Sequence, residues 1–258
     1  MQINKFKKKG KNKYEIIFDN TSLLLYEDII LKYDLLIKKD VDEHLLDEII
    51  NENSYYDAYD TALSYIETKL RTKKEIEDYL ERKGFDNKYI DYAIDKLNKM
   101  NLLNDKLYVT AFVNDKINLT LDGPYKIRQD LLNLDIDESI INNYLNTIDN
   151  KVWEDKIDKL INKKSSSMNN KSYYMFINKL KNDLYLKGYS KELIESKIVN
   201  IKYKSDSINK ETTKAIRKYK NDKNKIVSYL MRKGYSYEEI KDSLNESMEE
   251  LWKRMDLL

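Results

Sequence analysis

Cysteine is absent from this chain of 258 residues, which excludes disulfides, thiolate nucleophiles and thiolate-bound metals. Histidine occurs once, at His44, so a nucleophile–histidine catalytic arrangement has a single candidate base, and it lies in an acidic stretch with no Ser or Thr motif around it. The five glycines are scattered at turns, and none forms a phosphate-cradling loop. Proline also occurs once, at Pro124, which leaves long stretches free to be helical. No apolar run reaches the roughly 18 residues needed to span a bilayer, and the basic start MQINKFKKKGKNKYEIIF lacks the apolar centre of a signal peptide. A cytosolic protein without cofactor or metal is expected. Asp91 and Asp95 share a helix face but sit beside Lys88 and Lys99, and read as solvated acids.

Charge is abundant, at 36% of residues, and mean hydropathy is −0.75. The net charge of +2 hides an uneven distribution. Residues 1–13 carry six lysines and no acid, residues 26–60 balance to −8, and residues 163–225 to +11. A polyanion, or a complex of a polyanion with protein, would respond to both signs.

The chain is built on a recurring unit, seen first in IEDYLERKGFDNKYIDYAIDKL, residues 76–97. Ile76 and Leu80 mark one helical face, and Ile90, Ile94 and Leu97 the next. Gly84 suits a left-handed helix end, Asp86 an N-cap, and Phe85 with Ile90 a hydrophobic staple. The pattern returns at shifts of 51, 104 and 150 residues. Gly84 becomes Asp135, Gly188 and Gly234, and Asp86 becomes Asp137, Ser190 and Ser236. Ser236 with Glu239 completes a capping box, as does Thr72 with Glu75. Aspartate is among the few non-glycine residues that tolerate the left-handed region at 135.

These signals predict a mainly all-α protein of tandem three-helix repeats in an elongated, curved array, preceded by a small β-hairpin or three-stranded sheet. Extended segments are expected over 2–8 and 13–18, with a turn at Asp19-Asn20 and a short helix over 27–32. Asp40 or Asp42 is expected to cap a helix reaching Ile50. The N-terminal region takes 1–52, and the repeats take 53–103, 104–149, 150–204 and 205–258. Their helices are expected at 53–70, 73–83 and 87–100; at 105–118, 124–133 and 138–148; at 150–163, 172–186 and 191–203; and at 208–220, 222–233 and 237–250. Asn104-Asp105 is a cap candidate, Pro124 suits a first helical position, and the polar run 164–171 is the best linker candidate.

Basic residues gather near the turns: Lys69, Arg71, Lys73, Lys74, Arg82 and Lys83 in the first copy, Lys116, Lys126 and Arg128 in the second, and Lys214, Arg217 and Lys218 in the fourth. Tyrosines such as Tyr65, Tyr79 and Tyr89 interleave with the first set. Cations beside aromatics suit phosphate contact and base stacking, and equally suit a protein interface.

The runs LRTKKEIEDYLERKGF, LLNDKLYVTAFVNDKIN and GPYKIRQDLLNLDI resemble the RecX family, regulators of the RecA recombinase. The resemblance covers roughly residues 1–250 and is most specific over 58–148. The N-terminal extension resembles the longer low-GC Gram-positive members. Arg71, Glu75, Leu80, Gly84, Asn104, Asp105, Phe112, Gly123, Pro124, Ile127 and Leu131 match the family pattern. Lys116 stands where many members have arginine, and Asp135 departs from the usual glycine. The resemblance implies a non-enzymatic cytosolic modulator that binds the RecA filament on single-stranded DNA and lowers its recombinase, ATPase and coprotease activity. It would act in DNA repair and the SOS response, with direct DNA contact possible and a monomer as the expected state. The other readings open at this stage are a helical DNA-binding regulator acting without RecA and a protein-interaction scaffold.

Overall fold

A computed structural model of the chain describes residues 1–19, 21–167, 171–199, 201, 207–220 and 222–245. It begins with three antiparallel strands, β1 (Ile3–Lys8), β2 (Lys13–Phe18) and β3 (Ser22–Tyr26), in that order across the sheet. Asn20 of the expected turn lies outside the described residues. Alternation along β2 sends Ile16 and Phe18 into a core with Leu25, with Ile29 and Ile30 of α1 (Glu27–Lys32), and with Leu46 and Ile49 of α2 (Glu43–Ile66). A small sheet needs such a partner to be stable in water. Lys13 holds the two layers together from the sheet side. Its ammonium lies 3.0 Å from Asp57 and 3.1 Å from Asp60, and the Tyr26 hydroxyl donates to the same two carboxylates. Burial, followed by those two charges, pushes the Tyr26 phenol far up.

The helix α2 departs from expectation. The sequence suggests two pieces, one capped near 42 and one starting at 53, but a single helix of 24 residues runs through. Asp42 caps it, accepting from the Leu45 amide at 2.8 Å. The polar residues that looked like a break have other partners. Asn53 accepts from the Tyr26 amide and donates to the Leu24 carbonyl, while Ser54 donates back to the Ile50 carbonyl. With neither glycine nor proline between 43 and 66, nothing interrupts the backbone ladder.

The chain packs as two compact units. The first holds Met1–Val109 with Asn133–Asp137; the second holds Thr110–Leu132 and the described residues from Glu138 onward. In the first unit, α2 packs with α3 (Lys73–Arg82) and α4 (Asn87–Lys99) around Ala58, Ala62, Ile76, Leu80, Ile94 and Leu97. The alanines allow close helix approach. Thr72 and Glu75 form the expected capping box, and Gly84 adopts φ +87°. Phe85 and Ile90 pack on the same core, as a staple requires. Asp86 stands at the N-cap position of α4, but its side chain makes no cap bond. Asn104 caps α5 (Asp105–Leu119) by accepting from the Leu107 amide.

The second unit contains α6 (Pro124–Leu132), α7 (Glu138–Leu145), α8 (Asn150–Ser167), α9 (Tyr173–Leu186), α10 (Lys191–Ile198), α11 (Ser207–Tyr219), α12 (Lys223–Arg232) and a closing helix over 237–245. Pro124 opens α6 as expected. One core gathers Ile157, Phe176, Leu180, Leu184 and Ile194; another gathers Ala215, Ile226, Leu230 and Ile240. The linker candidate is partly wrong, because 164–167 continue α8, and Lys164 is tied to Asp183 at 2.7 Å; 168–170 lie outside the described residues. The expected helix ends at 202–203 and 246–250 also lie outside them. Helix α7 closes at Leu145 rather than 148, and α10 at Ile198.

Between each middle and last helix the chain turns through a left-handed residue: Gly84, Asp135 (φ 56°), Gly188 and Gly234 (both φ 83°). Three of these corners meet the start of another middle helix. Asp135 pairs with Lys74 at 3.2 Å. Lys187 and Gly188 accept from the amides of Gly123 and Tyr125, at 2.6 and 3.1 Å. Lys233 accepts from the Ser172 hydroxyl at 2.8 Å. A Cβ on Gly123 would come within 2.6 Å of the Gly188 carbonyl, so Gly123 is required by close packing and not only by the proline that follows.

Two substitutions separate the local and packing roles of these glycines. Gly84→Ala should cost about 1–2 kcal/mol, the left-handed penalty alone. Gly188→Ala should cost roughly 1–3 kcal/mol more, because its Cβ would lie 2.2 Å from the Lys126 amide nitrogen. Denaturant unfolding of the two variants against the parent checks the order; equal losses would rule out the packing role.

Candidate partner and nucleic-acid interface

The first-copy cations lie on and around α3, and most are engaged. Arg71 is only 13% exposed. Its guanidinium carbon sits 3.8 Å from the centroid of Tyr65, whose ring stacks on Tyr79 at 3.9 Å. Glu75 lies 3.6 Å from Arg71 and 3.9 Å from Lys69, and its second oxygen caps the Thr72 amide. The Tyr108 phenol is pushed up to about 12, by burial first and then by the charge and hydrogen bond of Glu75. Lys73 pairs with Glu77, and Lys83 lies 5.5 Å over Tyr79. Among the described residues Arg82 is exposed and has no side-chain partner. Arg71 therefore belongs to the frame of the first unit, while Arg82 and Lys83 face solvent at the Gly84 corner.

The second-copy cations are neutralised within the second unit. Lys116 donates to Asp130 at 2.8 Å, lies 3.6 Å from Asp122, and passes over Phe112. Lys126 takes the other oxygen of Asp130 at 2.7 Å. Lys187 binds Asp122 at 2.7 Å, and Arg128 is bound to Glu138 and Asn142. Burial alone would push both aspartates up. The Lys187 and Lys116 contacts at Asp122, and the Lys116 and Lys126 contacts at Asp130, outweigh it and hold both carboxyls below their ordinary value of 3.8. In the fourth copy Lys214 binds Glu211 at 2.7 Å, Lys218 hovers over Tyr219 and Tyr229, and Arg217 is exposed. Lys233 lies 5.6 Å over Tyr229, repeating the Lys83–Tyr79 pair 150 residues on.

The structure adds a basic groove that the sequence reading did not single out. It has a volume of about 710 Å³, and Lys156, Lys159 and Lys163 of α8 line it together with Thr120, Leu121 and Lys187. Lys156 is 5% exposed, and its ammonium donates to the carbonyls of Ile117 (2.6 Å) and Thr120 (2.5 Å). It thus closes the C-terminal end of α5, where the helix dipole favours a cation. Burial, and then the charge of Lys159, push its pKa down. Lys159 and Lys163 have no side-chain partner among the described residues. They lie four apart on α8, about 6 Å along the axis. The spacing 156, 159, 163 was readable as a basic stripe opposite Ile157 and Ile161, but the stripe became a groove only where Thr120 and Leu121 form its other wall. No helix among the described residues is long and apolar enough to cross a membrane.

Comparison with known proteins places these features in a family context. The family model for RecX, first three-helix domain, matches residues 58–97. The regulatory protein RecX of Streptococcus agalactiae serotype V is 34% identical over 259 residues, 95% of this chain and 99% of that protein. That of Oceanobacillus iheyensis is 26% identical, covering 94% of this chain and 96% of that protein. Among solved structures, a crystal structure of regulatory protein RecX covers 75% of this chain and 97% of its own, with a TM-score of 0.62 and 26% identity. RecX from Lactobacillus salivarius gives a TM-score of 0.51 and 32% identity, covering 57% of this chain and 96% of its own.

The pairing of Asp122 and Asp130 predicts an acid response. Their depressed values give stability that is present above pH 3.8, the ordinary value, and is lost as pH falls through the depressed values. Asp130→Asn should weaken the second unit at neutral pH and show a shallower loss on acidification. Acid titration followed by circular dichroism checks this; parallel curves for the two proteins would exclude it.

Proposed function

Because this chain belongs to the RecX family of regulatory proteins, we propose that it is a non-enzymatic regulator. On this reading it binds a RecA filament on single-stranded DNA and lowers strand exchange, ATP turnover and coprotease activity. The observation that carries the reading is the end-to-end similarity to relatives named as regulatory proteins, over 95% of this chain and 99% of the first of them. The side chains support it by what they offer. Arg82, Lys83, Arg217, Lys159 and Lys163 present positive charge outward, without a nucleophile–base pair beside them. Four modules bounded at 53–103, 104–149, 150–204 and 205–258, each offering a few weak contacts, would gain by effective concentration along a filament. The working compartment is the cytoplasm, and the working form a monomer.

A second reading, direct DNA binding without a recombinase, is favoured by one observation: the unpaired Lys159 and Lys163 in the α8 groove. The two readings separate in one experiment. Adding the chain to RecA on single-stranded DNA should slow ATP hydrolysis; an unchanged rate at stoichiometric excess overturns the filament reading. Replacing Lys159 and Lys163 with glutamate should weaken direct DNA binding and flatten its logarithmic salt dependence by about one per lysine. An unchanged slope would clear the groove of phosphate contact.

A further inference from the structure

The four left-handed corners differ in what covers them. At Gly188 and Gly234 an added Cβ would meet another segment at 2.2 and 2.7 Å; at Gly84 it would meet nothing within 4 Å. The carbonyls follow the same division. Lys187 and Gly188 accept from the amides of Gly123 and Tyr125, and Lys233 accepts from Ser172. Among the described residues no donor meets the corresponding carbonyls of Lys83 and Gly84, and the exposed run Glu81–Gly84 leaves them facing water. The residues after the Gly188, Gly234 and Gly84 corners agree. Tyr189 sends its hydroxyl to the Leu121 carbonyl, and Tyr235 shares a hydrogen with Ser207, which reaches the Lys171 carbonyl. The first copy has Phe85 there, with no hydroxyl to place.

The Asp135 corner is met by the Lys74 side chain; what covers the Gly188 and Gly234 corners is more specific. It is the N-terminal end of a helix whose N-cap can donate: Gly123 through its amide, Ser172 through its hydroxyl. An exposed helix C-terminus with free carbonyls and a negative dipole end is complementary to such an end. The chain's own leftover middle helix, α12, does not supply one. Its N-cap is Asp222, an acceptor that binds the Lys225 amide, and its carboxyl is held below the ordinary range by Lys225. Propagation into a second copy would set a carboxylate against carbonyl oxygens.

We propose that the Gly84 corner, with Arg82, Lys83 and Phe85, docks the N-terminal end of a helix of the protein partner, one with glycine, serine or threonine at its N-cap. This rests on the filament reading above and names the surface that would meet the filament protein. The partner helix lends its first amides to the carbonyls of Lys83 and Gly84, as Gly123 and Tyr125 do for Lys187 and Gly188.

The test is Gly84→Asn. Asparagine tolerates the left-handed conformation, as Asp135 does in the second copy, and its side chain has room, so the fold is kept and a thermal melt verifies it. The variant should bind a RecA filament on single-stranded DNA about tenfold more weakly than the parent, by anisotropy of the labelled chain. Undiminished binding by the variant overturns the corner proposal and leaves filament regulation standing. No binding by the parent overturns the filament reading and the corner with it. Concentration-dependent self-association of the parent that Gly84→Asn abolishes would give the corner to a second copy and overturn the proposal.

Discussion

Every helix must end, and ending it strands carbonyl groups without donors. This chain meets that constraint in the same way at the three middle helices that end at Gly84, Gly188 and Gly234. The last turn closes on itself, the next residue takes a positive φ, and the carbonyls on either side of that residue point outward. At the Gly188 corner the unsatisfied amides of a second helix, and at the Gly234 corner its N-cap hydroxyl, meet those carbonyls, so two sets of orphan groups cancel; the Asp135 corner is met instead by the Lys74 side chain. At Gly188 the contact is backbone to backbone, which is why Gly123 and Gly188 approach to distances no side chain would permit. Cores, ion pairs and exposed charges are arranged around these joints.

The charges follow from the joints. Asp122 and Lys187 sit on the two sides of the Gly188 corner and bind each other; Lys116 and Lys126 share Asp130 just behind it. The partly screened, hydrogen-bonded setting makes these pairs stronger than exposed ones, and the lowered aspartates are their signature. A protein with nearly balanced charge thus has most candidate cations already satisfied. The few left over lie at the Gly84 corner, on α8 and on α11. Lys156 shows the opposite outcome, a lysine drawn in to close α5 at the cost of a lowered pKa.

Within the first unit the N-terminal sheet is tied to the three-helix core through a device of a different kind. The helix α2 is shared between the sheet's core and the three-helix core, with Leu46 and Ile49 in one and Ala58 and Ala62 in the other. Asn53 belongs to the junction, because its amide side chain bridges the backbone on both sides of Leu25. A residue that statistics favour at helix starts is here a strand partner in mid-helix. The expected break at 53 was therefore reasonable and mistaken.

Much of the architecture was legible in the order of residues. Thr72 with Glu75, Ser236 with Glu239, Pro124, and the left-handed corners including Asp135 depend on interactions within about four residues, and such interactions are written in adjacent letters. The apolar spacing that repeats at 51, 104 and 150 residues is equally local. The fate of each charged side chain was not legible, because its partner is remote in sequence. Lys187 lies 65 residues from Asp122, Lys156 lies 36 from the carbonyl it closes, and Ser172 lies 61 from Lys233. Which lysine is a strut and which a free ammonium depends on how the elements come together. So does Gly123, whose need for a missing side chain arises from a backbone that reaches it only after folding.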